Sequence, residues 1–120
     1  MVRSQKRSEQ KVSGGKYKDF RKKKKYELGG NPVKTKLGDK KVKTLFTTSK
    51  NRKSKLLSQN IVSVDGKKVK IVNVIENPAN KHFVRRNILT KGSIVETDIG
   101  KVKITSRPGQ EGSLSGVLVK

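Results

Sequence analysis

The sequence predicts an all-β protein: a small antiparallel β-barrel of about six strands, preceded by an extended, disordered basic N-terminal tail. Three observations carry this expectation. The chain has 120 residues with only 30% hydrophobic, enough for one small core and not for two. From Val42 onward Val, Ile and Leu recur in short runs separated by turn residues, with no stripe of helical period. The first 40 residues contain few aliphatics, namely Val2, Val12, Leu28, Val33 and Leu37, and cannot form a core of their own. The expected division is therefore a tail over 1–40 and a barrel over 41–120.

The elements follow in order. KVKTLFTT (41–48) alternates, with Val42, Thr44 and Phe46 on one side. Residues 49–58, overlapping NRKSKLLSQ (51–59), fit either a strand or a short helical turn. IVSV (61–64), Asp65-Gly66 and KKVKIVNVI (67–75) form a hairpin, because Asp-Gly supplies the two positive-φ positions of a type I′ turn. The apolar phase slips between Ile71 and Val72, which indicates a bulge or a strand buried on both faces. NPAN (77–80) is a turn, and HFVRRNIL (82–89) is expected as a strand. SIVETDIGKVKIT (93–105) is a second hairpin around Asp98 to Gly100, SRPGQEGS (106–113) a loop, and LSGVLV (114–119) the closing strand. Closure of such short strands into a barrel removes exposed edges. The expected core is Val42, Phe46, Leu57, Val62, Val64, Val69, Ile71, Val74, Phe83, Ile88, Ile94, Val95, Val102, Ile104, Val117 and Val119.

Charge bounds the function. The chain carries 31 Lys plus Arg against 9 Asp plus Glu, a formal charge of +22. Self-repulsion at that level opposes compaction and points to a polyanionic partner. The excess lies in front: residues 1–60 hold 20 basic and 4 acidic residues, residues 61–120 hold 11 and 5. Without cysteine, disulfides and thiolate metal sites are excluded. No apolar run approaches the roughly 18 residues of a membrane span, and MVRSQKRSEQ lacks the apolar segment of a secretory signal. No membrane partner is expected.

The stretch SGGKYKDFRKKKKYELGG (13–30) concentrates the chemistry. Arg21, Lys22, Lys23, Lys24 and Lys25 form one cationic run, with Lys11 and Lys16 ahead of it. Beside phosphates, each neutralised charge releases condensed counterion. Gly14-Gly15 and Gly29-Gly30 allow close backbone approach. Tyr17, Phe20 and Tyr26 are interleaved with the charges, a pattern suited to stacking on unpaired bases; packing of these rings back onto the barrel is the competing reading. A run such as RKKKK is equally the form of a solvated tail or of a nuclear-import patch.

Further cations extend the candidate RNA surface. Lys34, Lys36, Lys40, Lys41, Arg52 and Lys53 lie at the junction and start of the barrel. Lys67, Lys68 and Lys70 lie on one hairpin, Lys81, Arg85 and Arg86 on the next segment, and Lys101 and Lys103 on one face of another strand. The plainer account of these is the wet side of half-buried strands.

Catalytic signals are weak. SGGK lacks the G-x-x-x-x-G-K-[ST] pattern and a preceding strand. His82 is the only histidine and has no nucleophile or carboxylate constellation. Asp65, Glu96 and Asp98 sit at or beside turns, where Asp serves the backbone, and make a poor metal site. No enzyme activity, metal or cofactor is expected. No helix-turn-helix, zinc finger or basic zipper is present to enter a DNA major groove, and a basic strand with aromatics suits folded RNA. Residue chemistry alone stops at an RNA-binding small β domain with an embedding tail. A DNA-compacting protein and a ribosome-assembly factor stay open at this point.

The composite GGKYKDFRKKKKYELGGNPVKTKLG resembles the opening of the S eight e family of archaeal and eukaryotic small-subunit ribosomal proteins. The matching positions are Gly14, Gly15, Lys16, Arg21 to Lys25, Tyr26-Glu27-Leu28-Gly29, Pro32 and Thr35-Lys36-Leu37-Gly38. KIVNVIENPANKHFVRRNILTKGSIVETDIG is similar to the family's middle segment, and SRPGQEGSLSGVLVK to its short archaeal members. The resemblance spans nearly the whole chain. It implies a structural protein of the cytoplasmic ribosome with a β-barrel body and a tail threaded into small-subunit rRNA. Its partners would be that rRNA and neighbouring ribosomal proteins, with a monomer when free and no cofactor. Gly14, Gly15, Lys16, Arg21 to Lys25 and Tyr26 would be the tail's rRNA contacts. The eukaryotic members' insertion is missing here, so its contacts do not carry over.

Overall fold

A computed structural model describes residues 3–4, 7–47 and 49–119. The chain divides into two compact units, residues 1–32 and 33–120. The sequence boundary at 40 thus stands beside a structural division between Pro32 and Val33.

In the first unit, β1 (Arg3–Ser4) pairs antiparallel with β2 (Leu28–Gly29). A 3-10 turn over Lys25–Glu27 leads into β2. Residues 9–17 make a small closed loop. Gln10 bridges Lys16, Tyr17 N donates to Glu9 O at 3.1 Å, and Lys11 N donates to Gly15 O at 2.7 Å. Gly14 turns this loop at φ +85°, a conformation an L side chain resists.

The second unit holds two sheets. One is a four-stranded sheet in the order β4 (Lys41–Phe46), β5 (Arg52–Ser58), β3 (Thr35–Lys36), β8 (Ile88–Leu89). The other is a closed five-stranded barrel of β6 (Ile61–Val64), β7 (Lys67–Glu76), β9 (Ile94–Thr97), β10 (Gly100–Ile104) and β11 (Ser115–Leu118). Four of its pairings are antiparallel; the fifth, β11 with β6, is parallel and closes the ring at Ser115↔Ser63 and Gly116↔Val64.

Both expected hairpins form. Asp65 and Gly66 have φ of 47° and 80°, the type I′ signature. β7 breaks register between Ile71 and Asn73, so the phase slip is a bulge: Ile71 and Val74 face inward while Val72 is exposed. The ambiguous 49–58 stretch resolves as β5. Thr48, expected in the first strand, lies outside the described residues.

Two local expectations are corrected. Residues 82–89 are not one strand. Lys81–Arg85 form a short helix, α1, capped by the Asn80 side chain, which accepts from His82 N at 2.8 Å. Asn87 at φ 49° then turns the chain into the short β8. The 106–113 loop contains a helical turn, α2 (Pro108–Glu111), with Pro at its first position and Gly112 in the left-handed conformation at its end.

The core is built from Leu56, Val62, Val64, Val69, Ile71, Val74, Leu89, Val95, Val102, Ile104 and Leu114, with Ile88 also buried. Eleven expected residues occupy buried or half-buried positions, including half-buried Phe83 and Ile94, but Val42, Phe46, Leu57, Val117 and Val119 are exposed. Alternation groups Val42 with Phe46 as expected, but that face is covered at Leu56 and left open at Val42 and Phe46. In β5 it is Leu56, not Leu57, that points inward, and Leu89 and Leu114 complete the core.

Candidate nucleic-acid interface

In the first unit the cations sit on a locally organised backbone. Arg21 Nη2 is ion-paired and hydrogen-bonded to Glu27 Oε1, and lies 3.4 Å from the Tyr26 hydroxyl. The Glu27 carboxylate is only 6% exposed, and its Oε2 accepts from Lys24 N at 3.4 Å. Hydrogen bonding by Glu27 raises the Arg21 pKa above its ordinary value. Arginine is protonated at ordinary pH in any case, so the consequence is positional. One acid gathers both ends of the basic run, and Lys22, Lys23, Lys24, Lys25 and Tyr26 stay exposed around it.

The aromatics are paired with cations. The Arg7 guanidinium lies 3.9 Å from the Tyr17 ring centroid and Lys11 Nζ lies 5.5 Å from it, while the Arg21 guanidinium lies 5.1 Å from that of Phe20. Tyr17, Phe20 and Tyr26 are all exposed. Gly14, Gly15 and Lys16 are exposed in the closed loop, with open space beside Gly14.

In the second unit, Lys36 projects outward from β3, whose neighbouring Thr35 is buried and donates through Oγ1 to Leu56 O at 2.7 Å. That bond fixes which side of the strand faces water. Lys34 Nζ is 5.7 Å from the Phe83 ring centroid. Lys40, Lys41, Arg52 and Lys53 are exposed on or beside the β4–β5 pair. Lys68 and Lys70 project outward from β7 across from Ser63 and Ile61, and border a groove with Ile61, Asp98 and Ile99. Arg85 and Arg86 are exposed at the end of α1. Lys101 and Lys103 face water, while Val102 and Ile104 are buried.

Sequence reasoning passed over Arg7, Lys43, Lys55 and Arg107. Lys43 stands directly across from Lys55 in the ladder, and Phe46 across from Arg52. A signal for the lysines was present: no acid occurs between Asp39 and Asp65, whereas Lys40, Lys41, Lys43, Lys50, Arg52, Lys53 and Lys55 do.

Among the described residues the cations engaged in ion pairs are Arg21, with Glu27, and Arg107, whose Nε is 3.4 Å from Glu111 Oε1. Of the other lysines and arginines whose side chains are described, all but the half-buried Lys55 are exposed, and none is ion-paired to a carboxylate, a surface able to neutralise phosphates. Also among the described residues, no three His, Cys, Asp or Glu side chains gather as a metal site, and no helix is long and apolar enough to cross a membrane.

Comparison with known proteins places this arrangement. Residues 4–119 match the family described as Ribosomal protein S8e. Three relatives carry the name small ribosomal subunit protein eS8. That of Methanococcoides burtonii is 45% identical over 120 residues, covering 95% of this chain and 96% of the relative. Those of Nanoarchaeum equitans and Methanococcus aeolicus are 48% and 47% identical, covering 91% and 93% of both chains. The chain belongs to the S8e family of ribosomal proteins.

Proposed function

We propose that the chain is a structural constituent of the small ribosomal subunit that binds ribosomal RNA through its basic N-terminal segment and through the basic faces of its sheets. The carrying observation is the segregation of charge: exposed cations outnumber carboxylates, and only two acids among the described residues are engaged by a cation. A phosphate lattice satisfies such a surface. Membership of the family supports the assignment to the small subunit.

Each group has a role in this reading. Lys11, Lys16 and Lys22 to Lys25 neutralise phosphates, Gly14 and Gly15 let the backbone approach them, and Tyr17 and Tyr26 stack on exposed bases. Arg21, held by Glu27, shapes the run and presents its remaining N–H groups. Lys34, Lys36, Lys40, Lys41, Arg52, Lys53, Lys68, Lys70, Arg85 and Arg86 form the second contact area. The N-terminal segment, over 1–40, orders fully only when RNA surrounds it. Fixing each residue costs on the order of 1–2 kcal/mol, so many phosphate contacts are needed together. Neighbouring ribosomal proteins complete the surroundings, the free protein is a monomer of the cytoplasm, and no catalysis or cofactor enters.

The test is binding of the full chain to small-subunit rRNA transcripts across a salt series, with duplex DNA as competitor. The expected result is preference for the transcript and a logarithmic salt slope of about 0.7 to 0.9 per phosphate contact. Equal competition by duplex DNA, or absence of the chain from purified small subunits, would overturn the proposal.

A further inference from the structure

Phe46 is 72% exposed at the outer end of β4. A lone exposed apolar residue needs no explanation, but its setting does. It stands in the acid-free interval between Asp39 and Asp65. Arg52 is its cross-strand partner on the same face, with the guanidinium 5.4 Å from the ring centroid. On the opposite face Lys43 is directly across from Lys55, a like-charge pairing that a ladder disfavours unless counter-charge is supplied.

The end of α2 packs on Phe46's face of this hairpin. A methyl at Gly112 would stand 2.6 Å from the Cβ of Ser54, which shares that face. Between α2 and the hairpin runs a groove of about 510 Å³, bordered by Phe46, Lys53, Lys55, Arg107, Gln110 and Glu111, whose carboxylate is held by Arg107 at 3.4 Å. It combines one open aromatic face, a flanking guanidinium, an amide offering both donor and acceptor, and cations at its rim.

We propose that this groove receives one unpaired RNA base, stacked on Phe46 beside Arg52, with Lys53 and Lys55, which also line the groove, on the flanking phosphates. The inference deepens the proposed rRNA binding and rests on it. Every base presents a π-face for stacking, whereas duplex pairing hides it. A single exposed ring among cations matches one base better than a protein surface, whose interface core needs far more apolar area.

The chain contains no tryptophan, so Phe46→Trp introduces a single indole reporter. The probes are a short oligoadenylate and an RNA duplex of equal phosphate number, each titrated into the full chain. Expected are quenching of the indole and its protection from acrylamide by oligoadenylate, and little change with duplex. Phe46→Leu should weaken oligoadenylate binding roughly 5- to 100-fold, leaving the salt slope and duplex affinity unchanged, and Phe46→Tyr should retain it. If the parent protein binds both RNAs and Phe46→Leu alters neither, the groove assignment fails while rRNA binding stands. If the parent binds neither, both readings fail. An indole left open to acrylamide in the RNA complex, yet shielded in assembled subunits, assigns the ring to a protein neighbour and overturns the proposal.

Discussion

The guanidinium of Arg21 and the carboxylate of Glu27, six residues apart, close the basic run upon itself. The acid is almost wholly covered and the lysines between the two stay in water. A negative group inside the most positive segment therefore organises the cations around it.

Glu27→Gln should release Arg21 without removing any cation. The salt slope for rRNA binding is expected to steepen by about 0.7 to 0.9, one further contact. Amide resonances of 21–29 in the free protein should lose dispersion at the same time. An unchanged slope with unchanged dispersion would show that the pair organises nothing.

Where the chain is cut decides whether the body survives. Thr35 and Leu37 belong to the second unit: Thr35 bonds Leu56, Leu37 packs on the core, and Leu37 N donates to Asn87 O at 3.0 Å. Removal of residues 1–32 should leave a cooperatively unfolding protein with weak rRNA affinity. Removal of 1–40 should cost about 3 kcal/mol more in stability, through unpaired polar groups and lost apolar cover. Urea unfolding of the two truncations separates them.

Gly116→Ala should destabilise the barrel at its closure. A methyl there would stand 2.5 Å from Val102 Cγ1 and 2.8 Å from the Lys103 carbonyl oxygen, on a strand paired on both sides. Overpacking of this kind costs about 1–3 kcal/mol, and each kcal/mol lowers the Tm of a domain this size by about 4–8 °C. A thermal melt that is unmoved would show that the strand yields freely.

Asn77→Ala tests the turn ahead of α1. The buried Asn77 amide donates to Ile88 O at 3.0 Å, and its oxygen accepts from Ala79 N at 3.0 Å and Thr90 Oγ1 at 2.9 Å. Deleting it leaves the buried Ile88 carbonyl and two part-buried donors without their partner, for an expected loss of about 2–3 kcal/mol. Chemical denaturation measures it, and rRNA affinity at low temperature should hold.

The hairpins were legible in the sequence because their information is local. Asp65-Gly66 sets its own backbone, and the alternation of Lys101, Val102, Lys103 and Ile104 names its own inward face. What failed was non-local. Period two groups Val42 with Phe46 but does not say whether anything covers them. It does not choose Leu56 over Leu57 either. The stretch from His82 to Leu89 has strand-forming residues, yet the cap at Asn80 and the turn at Asn87 split it. The interface follows the same division. Cations are visible as residue types, but register alone sets Lys43 against Lys55, and folding alone ties Arg21 to Glu27.

The parallel seam between Ser63-Val64 and Ser115-Gly116 has a consequence for biosynthesis. β6 leaves the translating particle some fifty residues before its partner, and until the later strand is made one edge of the nascent sheet stays unsealed. Non-local pairing of this kind forms slowly, and open edges invite aggregation. The polycationic leading segment is by then already outside, its like charges keeping neighbouring nascent copies apart while the ring waits to shut.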